Sequence, residues 1–219
     1  MRIASEIPNY GTEVFDDLKV RIKDLIVEET ITQVIETGTY KGTGTTRAVL
    51  DGMMAHGFEY EFISIEVNPQ YASEATINNI HAKGLTILNG LSVGRPDLPT
   101  DTTFNVPDHI IVDHDPAMRS KLYKKEVQFN VPDHMLAYAI QKMEGKPEMV
   151  ILDSAGHMGF IEFKYLMSRV EGHSFYLVLD DIGHVKHYNS YQYVLSHPEQ
   201  FEVLWESESV HKSAIIKVL

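Results

Sequence analysis

The sequence predicts a single α/β domain built on a mostly parallel β-sheet. Short apolar runs alternate with amphipathic stretches along the 219 residues, and this alternation is typical of parallel strands joined by helical crossovers. Five of the runs end in polar or glycine residues, which is where ligands bind in such sheets. Two further strand-like runs close the chain as a predicted antiparallel hairpin. Together they make a seven-stranded sheet with helices on both faces.

The elements of the first half follow from periodicity and from helix start and stop signals. Residues 12–29 predict an amphipathic helix with Thr12 as its N-cap. The helix predicted at 69–84 begins with Pro69 and ends at Gly84; proline is typical of a helix start and glycine of a helix end. The predicted strands and helices alternate in this order: strand 32–38, helix 43–56, strand 60–66, helix 69–84 and strand 85–90.

The second half continues the pattern after an interruption. A helix is predicted from Pro132 to Met143, and helical stretches follow the fourth and fifth strands. One of these, "HYNSYQYV", carries Tyr188, Tyr191 and Tyr193, which suit either packing on the sheet or the interface of a homo-oligomer. The strands are expected at 148–154, 174–181, 201–207 and 213–219.

The interruption is a segment at about 91–131 that departs from the α/β spacing. It contains "FNVPDH" at 104–109, and the same six residues recur at 129–134, which indicates a local duplication. Without about 104–128 the spacing becomes ordinary for this fold class. We therefore expect an insertion within one domain spanning 1–219, acting as a lid or an oligomer contact. Its "VDHD" with His109 and His134 could bind a metal, but solvated loop histidines are the favoured interpretation.

Composition excludes several classes of function. Nineteen basic and thirty-one acidic residues give a formal charge of −12, which disfavours nucleic acid and anionic membranes as partners. The chain has no cysteine, so disulfides and thiolate metal sites are excluded. No signal-peptide pattern and no run of 18 apolar residues occurs, so we expect a soluble, cytoplasmic protein.

A glycine-rich turn follows the first predicted strand in "VIETGTYKGTGTT". Such turns bring backbone N–H groups close to a ligand. The spacing Gly38-x-x-x-Gly42-x-Gly44 does not match the G-x-G-x-x-G of dinucleotide-binding folds, and the glycine–lysine pair of a P-loop is missing. The pattern E-x-G-x-x-x-G-x-G resembles motif I of class I S-adenosylmethionine-dependent methyltransferases, from Val34 onwards. That family has a Rossmann-like sheet ending in an antiparallel hairpin.

The resemblance implies a set of cofactor-binding residues. Glu36 would hold the ammonium of S-adenosylmethionine, and Glu66 would accept hydrogen bonds from both ribose hydroxyls. Gly38 and Gly42 would admit the backbone to the cofactor's amino-acid end, and the segment from Asn89 to Ser92 would contact the adenine. The full set comprises Glu36, Gly38, Thr39, Tyr40, Gly42, Thr43, Glu66, Asn89, Gly90, Ser92 and Asp153.

Three acids form a second constellation. Asp153 ends one predicted strand, and Asp180 and Asp181 end the next, so their carboxylates could converge at one edge of the sheet. Three carboxylates at close range repel one another and would be partly protonated unless a cation lies among them. Oxygen ligands suit Mg²⁺ or another hard divalent cation rather than zinc. The pattern resembles metal-dependent O-methyltransferases of the catechol and macrocin type. That resemblance makes the three acids magnesium ligands.

A base must then accept the proton of the acceptor hydroxyl. His157, four residues after Asp153, is the first candidate, and His184, three residues after Asp181, is the second, with Lys186 and His187 beyond it. The predicted function is O-methylation of a small polyhydroxylated acceptor, such as a sugar or a natural product. Alternatives are a metal-independent methyltransferase, a non-catalytic module that binds a nucleoside-type ligand, and, with least support, a nicotinamide oxidoreductase.

Overall fold

The computed structural model describes residues 17–100, 106–112, 115–154, 156–170, 172–209 and 211–219. The first five residues of the predicted N-terminal helix, including Thr12, lie outside these ranges. The strands are β1 Gln33–Thr37, β2 Glu61–Glu66, β3 Leu85–Asn89, β4 Met149–Leu152, β5 Phe175–Asp180, β6 Phe201–Glu206 and β7 Ser213–Val218. The helices are α1 Asp17–Glu29, α2 Thr45–His56, α3 Pro69–Asn78, α4 Pro116–Val127, α5 Met135–Lys142, α6 Gly159–Met167 and α7 Tyr188–Ser196.

The described strands form one seven-stranded sheet in the order β3-β2-β1-β4-β5-β7-β6. Strands β1 to β5 are parallel, whereas β7 runs antiparallel to both β5 and β6. The predicted mostly parallel sheet with a C-terminal hairpin is therefore confirmed. Because the chain order reverses between β1 and β4, the carboxyl ends of these two strands flank the crevice where such sheets bind ligands.

The core lies on both faces of the sheet because side chains alternate along each strand. Val34 and Ile151 pack with α1 and α2 on one face, and Ile35 and Val150 pack with α5 and α6 on the other. Tyr191 of α7 is 8% exposed, so this tyrosine packs in the second core. No helix in the described ranges combines the length and apolarity needed to cross a membrane.

Two predicted helices are shorter than expected, for reasons visible in their side-chain and backbone contacts. Helix α3 ends at Asn78 because the side-chain amide of Asn79 donates to the carbonyls of Ala75 and Gly42, each at 3.0 Å. Helix α5 begins at Met135 rather than at Pro132. The residues before it form backbone hydrogen bonds with the segment after β3, where the Leu91 amide donates to the Pro132 carbonyl at 2.9 Å.

Candidate active site at the carboxyl edge of the sheet

A cavity of about 270 Å³ opens at the carboxyl ends of β1, β2, β3 and β4. This volume is just below the ~300–1,000 Å³ typical of small-molecule sites. The cavity brings together six of the residues predicted to contact the cofactor, and helices α4 and α6 supply its other walls. The six predicted residues are Gly38, Tyr40, Glu66, Gly90, Ser92 and Asp153.

Gly38 forms the sharp turn at the floor of this cavity. Its φ is +85°, a left-handed conformation that glycine adopts readily. A Cβ atom at this position would overlap the carbonyl oxygen of Asp153 and the amide of Ser154. The Gly38 amide donates to the carbonyl of Ile65 at 3.0 Å. The turn after β1 is therefore held closely against the ends of both neighbouring strands.

Glu66 ends β2 with its carboxylate in the cavity lining. One carboxylate oxygen accepts the Tyr40 amide at 2.7 Å, and the other accepts the Asn68 amide at 2.8 Å. Burial raises the pKa of Glu66 above its ordinary value, and these two backbone donors oppose the shift. Each oxygen keeps one further lone pair. A fixed acceptor of this kind suits a pair of ligand hydroxyls.

Glu36 is fully buried beneath the turn and is absent from the cavity lining. Its carboxylate accepts hydrogen bonds from the hydroxyls of Thr45, Thr46 and Ser64. Burial raises its pKa, against the effect of these three donors. The Thr45 hydroxyl also lies 3.4 Å from a carboxylate oxygen of Asp153. Direct contact of Glu36 with a cofactor ammonium remains a prediction.

Four other predicted cofactor residues do not line the cavity. Gly42 faces α3, where a Cβ atom would overlap the side chain of Asn79. Thr39 is buried and shares a hydrogen bond with a serine of β2. The side-chain amide of Asn89 donates to two backbone carbonyls at the end of β2, at 2.8 and 3.2 Å. Thr43 is exposed.

The three predicted metal ligands do converge. Oxygen atoms of Asp153, Asp180 and Asp181 lie within 4.8 Å of one another. The ammonium of Lys186 lies among them: it contacts Asp153, is 2.9 Å from Asp181 and is 3.8 Å from Asp180. Its side chain is 7% exposed. Among the described residues, no other group of acids and histidines has this spacing. Part of the "VDHD" segment lies outside the described ranges.

The charges in this cluster decide which cation it fits. Burial raises the pKa of Asp153, although Lys186 opposes the shift. Burial lowers the pKa of Lys186, but the three carboxylates outweigh it and raise that pKa above its ordinary value. The lysine is therefore an ammonium at neutral pH. Three carboxylates alone suit Mg²⁺, but with an ammonium already among them the residues present do not fit a divalent cation.

The two predicted bases differ in their relation to the cavity. The His157 ring centroid lies 5.0 Å from that of Tyr123, a residue of α4 that lines the cavity. Burial, and then the charge of Arg119, lower the His157 pKa, so its imidazole is neutral near pH 7. His184 is 4% exposed, and its Nδ1 accepts the Lys186 amide at 3.1 Å. Neither histidine is part of the lining.

Several lining residues were not predicted from the sequence. Glu162 in α6 is fully buried and accepts hydrogen bonds from Thr37 at 2.9 Å, Ser154 at 2.8 Å and Ser92. It is the one acid in the apolar helix sequence "GFIEFKYLM", and that contrast is a usable signal. Tyr123 and Glu126 come from α4, which lies within the segment 91–131 that was expected as a lid or an oligomer contact; no pattern in the sequence had indicated a helix there.

Comparisons with known proteins rest on structure. No protein-family model matches the sequence, and no curated protein does. An O-methyltransferase from Bacillus cereus in complex with S-adenosylhomocysteine superposes with a TM-score of 0.58 at 9% identity, over 95% of this chain and 84% of its own. The O-methyltransferase TomG from Streptomyces achromogenes, in complex with S-adenosylmethionine, gives 0.54 at 12%, over 97% and 83%.

A third match shows how far this likeness extends. An rRNA methylase from Streptococcus thermophilus gives a TM-score of 0.52 at 8% identity, over 95% of this chain and 99% of its own. Proteins described with different acceptors thus share the topology, so the likeness does not select an acceptor. It agrees with the strand order of the sheet. The chain has the fold of the class I S-adenosylmethionine-dependent methyltransferases.

Proposed function

We propose that this protein is an S-adenosylmethionine-dependent methyltransferase that methylates a hydroxyl group of a small acceptor. The observation that carries the proposal is the convergence of Gly38, Glu66 and Asp153 on one cavity at the switch point of the sheet. The carboxylate of Glu66 is oriented by two backbone amides and keeps lone pairs for ribose hydroxyls. The choice of cofactor is supported by the structurally similar Bacillus cereus enzyme, in complex with S-adenosylhomocysteine, and TomG, in complex with S-adenosylmethionine.

The reaction needs an electrophilic methyl group, which S-adenosylmethionine supplies on its sulfonium. The acceptor oxygen forms a bond to that methyl carbon while the carbon–sulfur bond breaks and its electron pair remains on sulfur. The hydroxyl proton passes to a base. His157 is the better candidate, since its neutral ring lies beside Tyr123 at the cavity wall. The role of His184 remains a prediction with less support from its position.

The charge of the lining narrows the acceptor class. Of the residues that the structure describes, four acids and no basic residue line the cavity, so the lining offers an anionic acceptor no partner of opposite charge. This favours a neutral or cationic polyhydroxylated molecule, such as a sugar or a natural product with adjacent hydroxyls. The four acids are Glu66, Glu126, Asp153 and Glu162.

Two versions of this activity differ in the cation near Asp153. The resemblance to catechol-type enzymes favours Mg²⁺ on Asp153, Asp180 and Asp181, where the cation would bind the acceptor oxygens and acidify one of them. The ammonium of Lys186 within the same cluster favours the metal-independent version. The metal-independent version therefore has the stronger support from the geometry.

The test is cofactor binding by calorimetry in the presence of EDTA. We expect S-adenosylhomocysteine to bind the wild type, and Glu66→Gln to weaken binding by about ten- to 150-fold, since a hydrogen bond to a charged group is worth about 1.5–3 kcal/mol. Glu74→Gln, at a partly exposed acid of α3, is the matched control and should bind normally. Stabilisation by NAD⁺ without any by S-adenosylhomocysteine would overturn the proposal. Binding without methyl transfer to any hydroxyl acceptor would indicate a non-catalytic module.

A further inference from the structure

Lys186 occupies the centre of the carboxylate cluster at the cavity floor. Its ammonium contacts Asp153 and lies 2.9 Å from Asp181 and 3.8 Å from Asp180. Asp153 lines the cavity, and Lys186 itself does not. The lysine thus reaches the cavity through the carboxylate it contacts. In a catechol-type site, a divalent cation would be expected at this position.

The backbone around Lys186 holds the side chain in this direction. The Lys186 amide donates to Nδ1 of His184 at 3.1 Å, and the preceding amide of Val185 donates to the carbonyl of Ile111 at 3.0 Å. Gly159 of α6 packs so closely that a Cβ atom there would overlap the Lys186 carbonyl. These contacts fix the main chain on both sides of the residue, so the lysine side chain extends from a fixed position beside the cluster.

A divalent cation cannot share this space with the ammonium. Mg²⁺ binds carboxylate oxygens at about 2.0–2.1 Å, and Lys186 already contacts Asp153 and lies 2.9 Å from Asp181, so an ion on the same oxygens would lie close to the ammonium. The repulsion at that distance is strong in a buried site. One cation therefore excludes the other.

We infer that Lys186 is the built-in cation of this cluster and positions Asp153 at the cavity floor without a divalent metal. The residue is a positioning residue, because it acts through Asp153. The inference deepens the proposed function, but its direct test requires neither cofactor binding nor turnover.

The experiment measures Mn²⁺ binding by electron paramagnetic resonance. We expect no specific Mn²⁺ site in the wild type and a new one-to-one site in Lys186→Met, at least tenfold tighter than any wild-type binding. Adding Asp181→Asn to that variant should remove the site. Lys142→Met, at an exposed lysine of α5, is the matched control and should resemble the wild type.

Two results would contradict the inference about Lys186. Stoichiometric Mn²⁺ binding by the wild type that Asp181→Asn abolishes would overturn the inference, as would a folded Lys186→Met variant without a site. If Lys186→Met unfolds, recovery of the fold with Mn²⁺ supports the inference, and failure of both Mn²⁺ and Asp181→Asn to restore it counts against it. S-adenosylhomocysteine binding by the wild type in EDTA reports separately on the proposed function.

Discussion

Gly38 is the residue at which the turn and the cavity depend most directly on the absence of a side chain. It combines a φ of +85° with backbone atoms of Asp153 and Ser154 in the position of a Cβ atom. Gly57 offers the matched comparison, because its φ is +73° and nothing lies within 4 Å of the corresponding position. The two glycines therefore separate the conformational requirement from the steric one.

We predict that Gly38→Ala costs about 1–3 kcal/mol more unfolding free energy than Gly57→Ala. Both variants pay for a left-handed alanine, and the difference comes from overlap in a packed site. Urea unfolding followed by circular dichroism measures both changes. Equal destabilisation of the two variants would show that the end of β4 yields without cost.

Residue types predicted much of the site but not the contacts among them. An acid or glycine at a strand end predicts a position at the carboxyl edge, and this places Gly38, Glu66 and Asp153 together. Gly42 was expected at the cavity, yet it faces α3. Sequence spacing does not reveal which side of a turn a glycine serves. The position of Lys186 depends on a loop in which Asp181 has a φ of +63°, a conformation that sequence reasoning had no means to anticipate.

Helix α4 is the element that most changes the site expected from the sequence. The strands were predicted because their sequences are apolar. Helix α4 instead carries exposed Met118 and Leu122, whereas its Tyr123 side chain is buried. A helix at the rim of a cavity packs little apolar surface, so its periodicity gives no signal. Its Tyr123 hydroxyl donates to the carbonyl of Pro99 at 3.0 Å, which ties the helix to the segment after β3.

Removing the N-cap of α4 should loosen this wall of the cavity. Asp115 accepts the amides of Ala117 at 2.9 Å and Met118 at 3.0 Å. We expect Asp115→Ala to speed amide hydrogen exchange within α4 and to weaken S-adenosylhomocysteine binding, because Tyr123 and Glu126 line the cavity. Asp115→Asn keeps a capping oxygen, so its exchange rates and its affinity should lie between those of the wild type and of Asp115→Ala. Unchanged exchange in α4 would contradict the prediction.

The same cap has a defined pH dependence. The hydrogen bond from the Met118 amide, followed by that from Ala117, lowers the pKa of Asp115 below its ordinary value of 3.8. The stabilisation is therefore present above pH 3.8 and is lost as the pH falls through the lowered pKa. Exchange rates of α4 in wild type and Asp115→Asn should converge at the acid end of that range.

At the scale of the whole molecule, buried acids make stability depend on pH. Glu36 and Glu162 are fully buried, and burial raises the pKa of each above 4.5. An acid with a raised folded-state pKa binds more protons folded than unfolded above pH 4.5. The folded state therefore loses stability as the pH rises from 4.5 through the raised pKa. Both acids lie under the site and tie its strands together through hydroxyl groups.

We predict that the unfolding free energy of Glu162→Gln rises relative to wild type as the pH increases above 4.5, by at most about 1.4 kcal/mol per pH unit. Urea unfolding from pH 4.5 to 8 measures this difference. Glu74→Gln is the control without a slope in this range: hydrogen bonds from Gln70 and Lys41 lower the Glu74 pKa, so its contribution changes mainly below pH 4.5 and its difference from wild type should stay nearly constant from pH 4.5 to 8. A difference between Glu162→Gln and wild type that stays constant with pH would show that folding does not raise the pKa of Glu162.

The repeated hexapeptide "FNVPDH" lies on either side of the helix that forms one wall of the cavity. The two copies, 104–109 and 129–134, bracket the whole of α4. The second copy pairs with the chain after β3 through Pro132 and His134, whereas His109 of the first is exposed. The segment between the copies thus supplies one wall of the cavity, through Tyr123 and Glu126 of α4. A chain without this segment would leave that side of the cleft open, so exchanging one contiguous stretch would change what the cleft admits without altering any residue of the sheet.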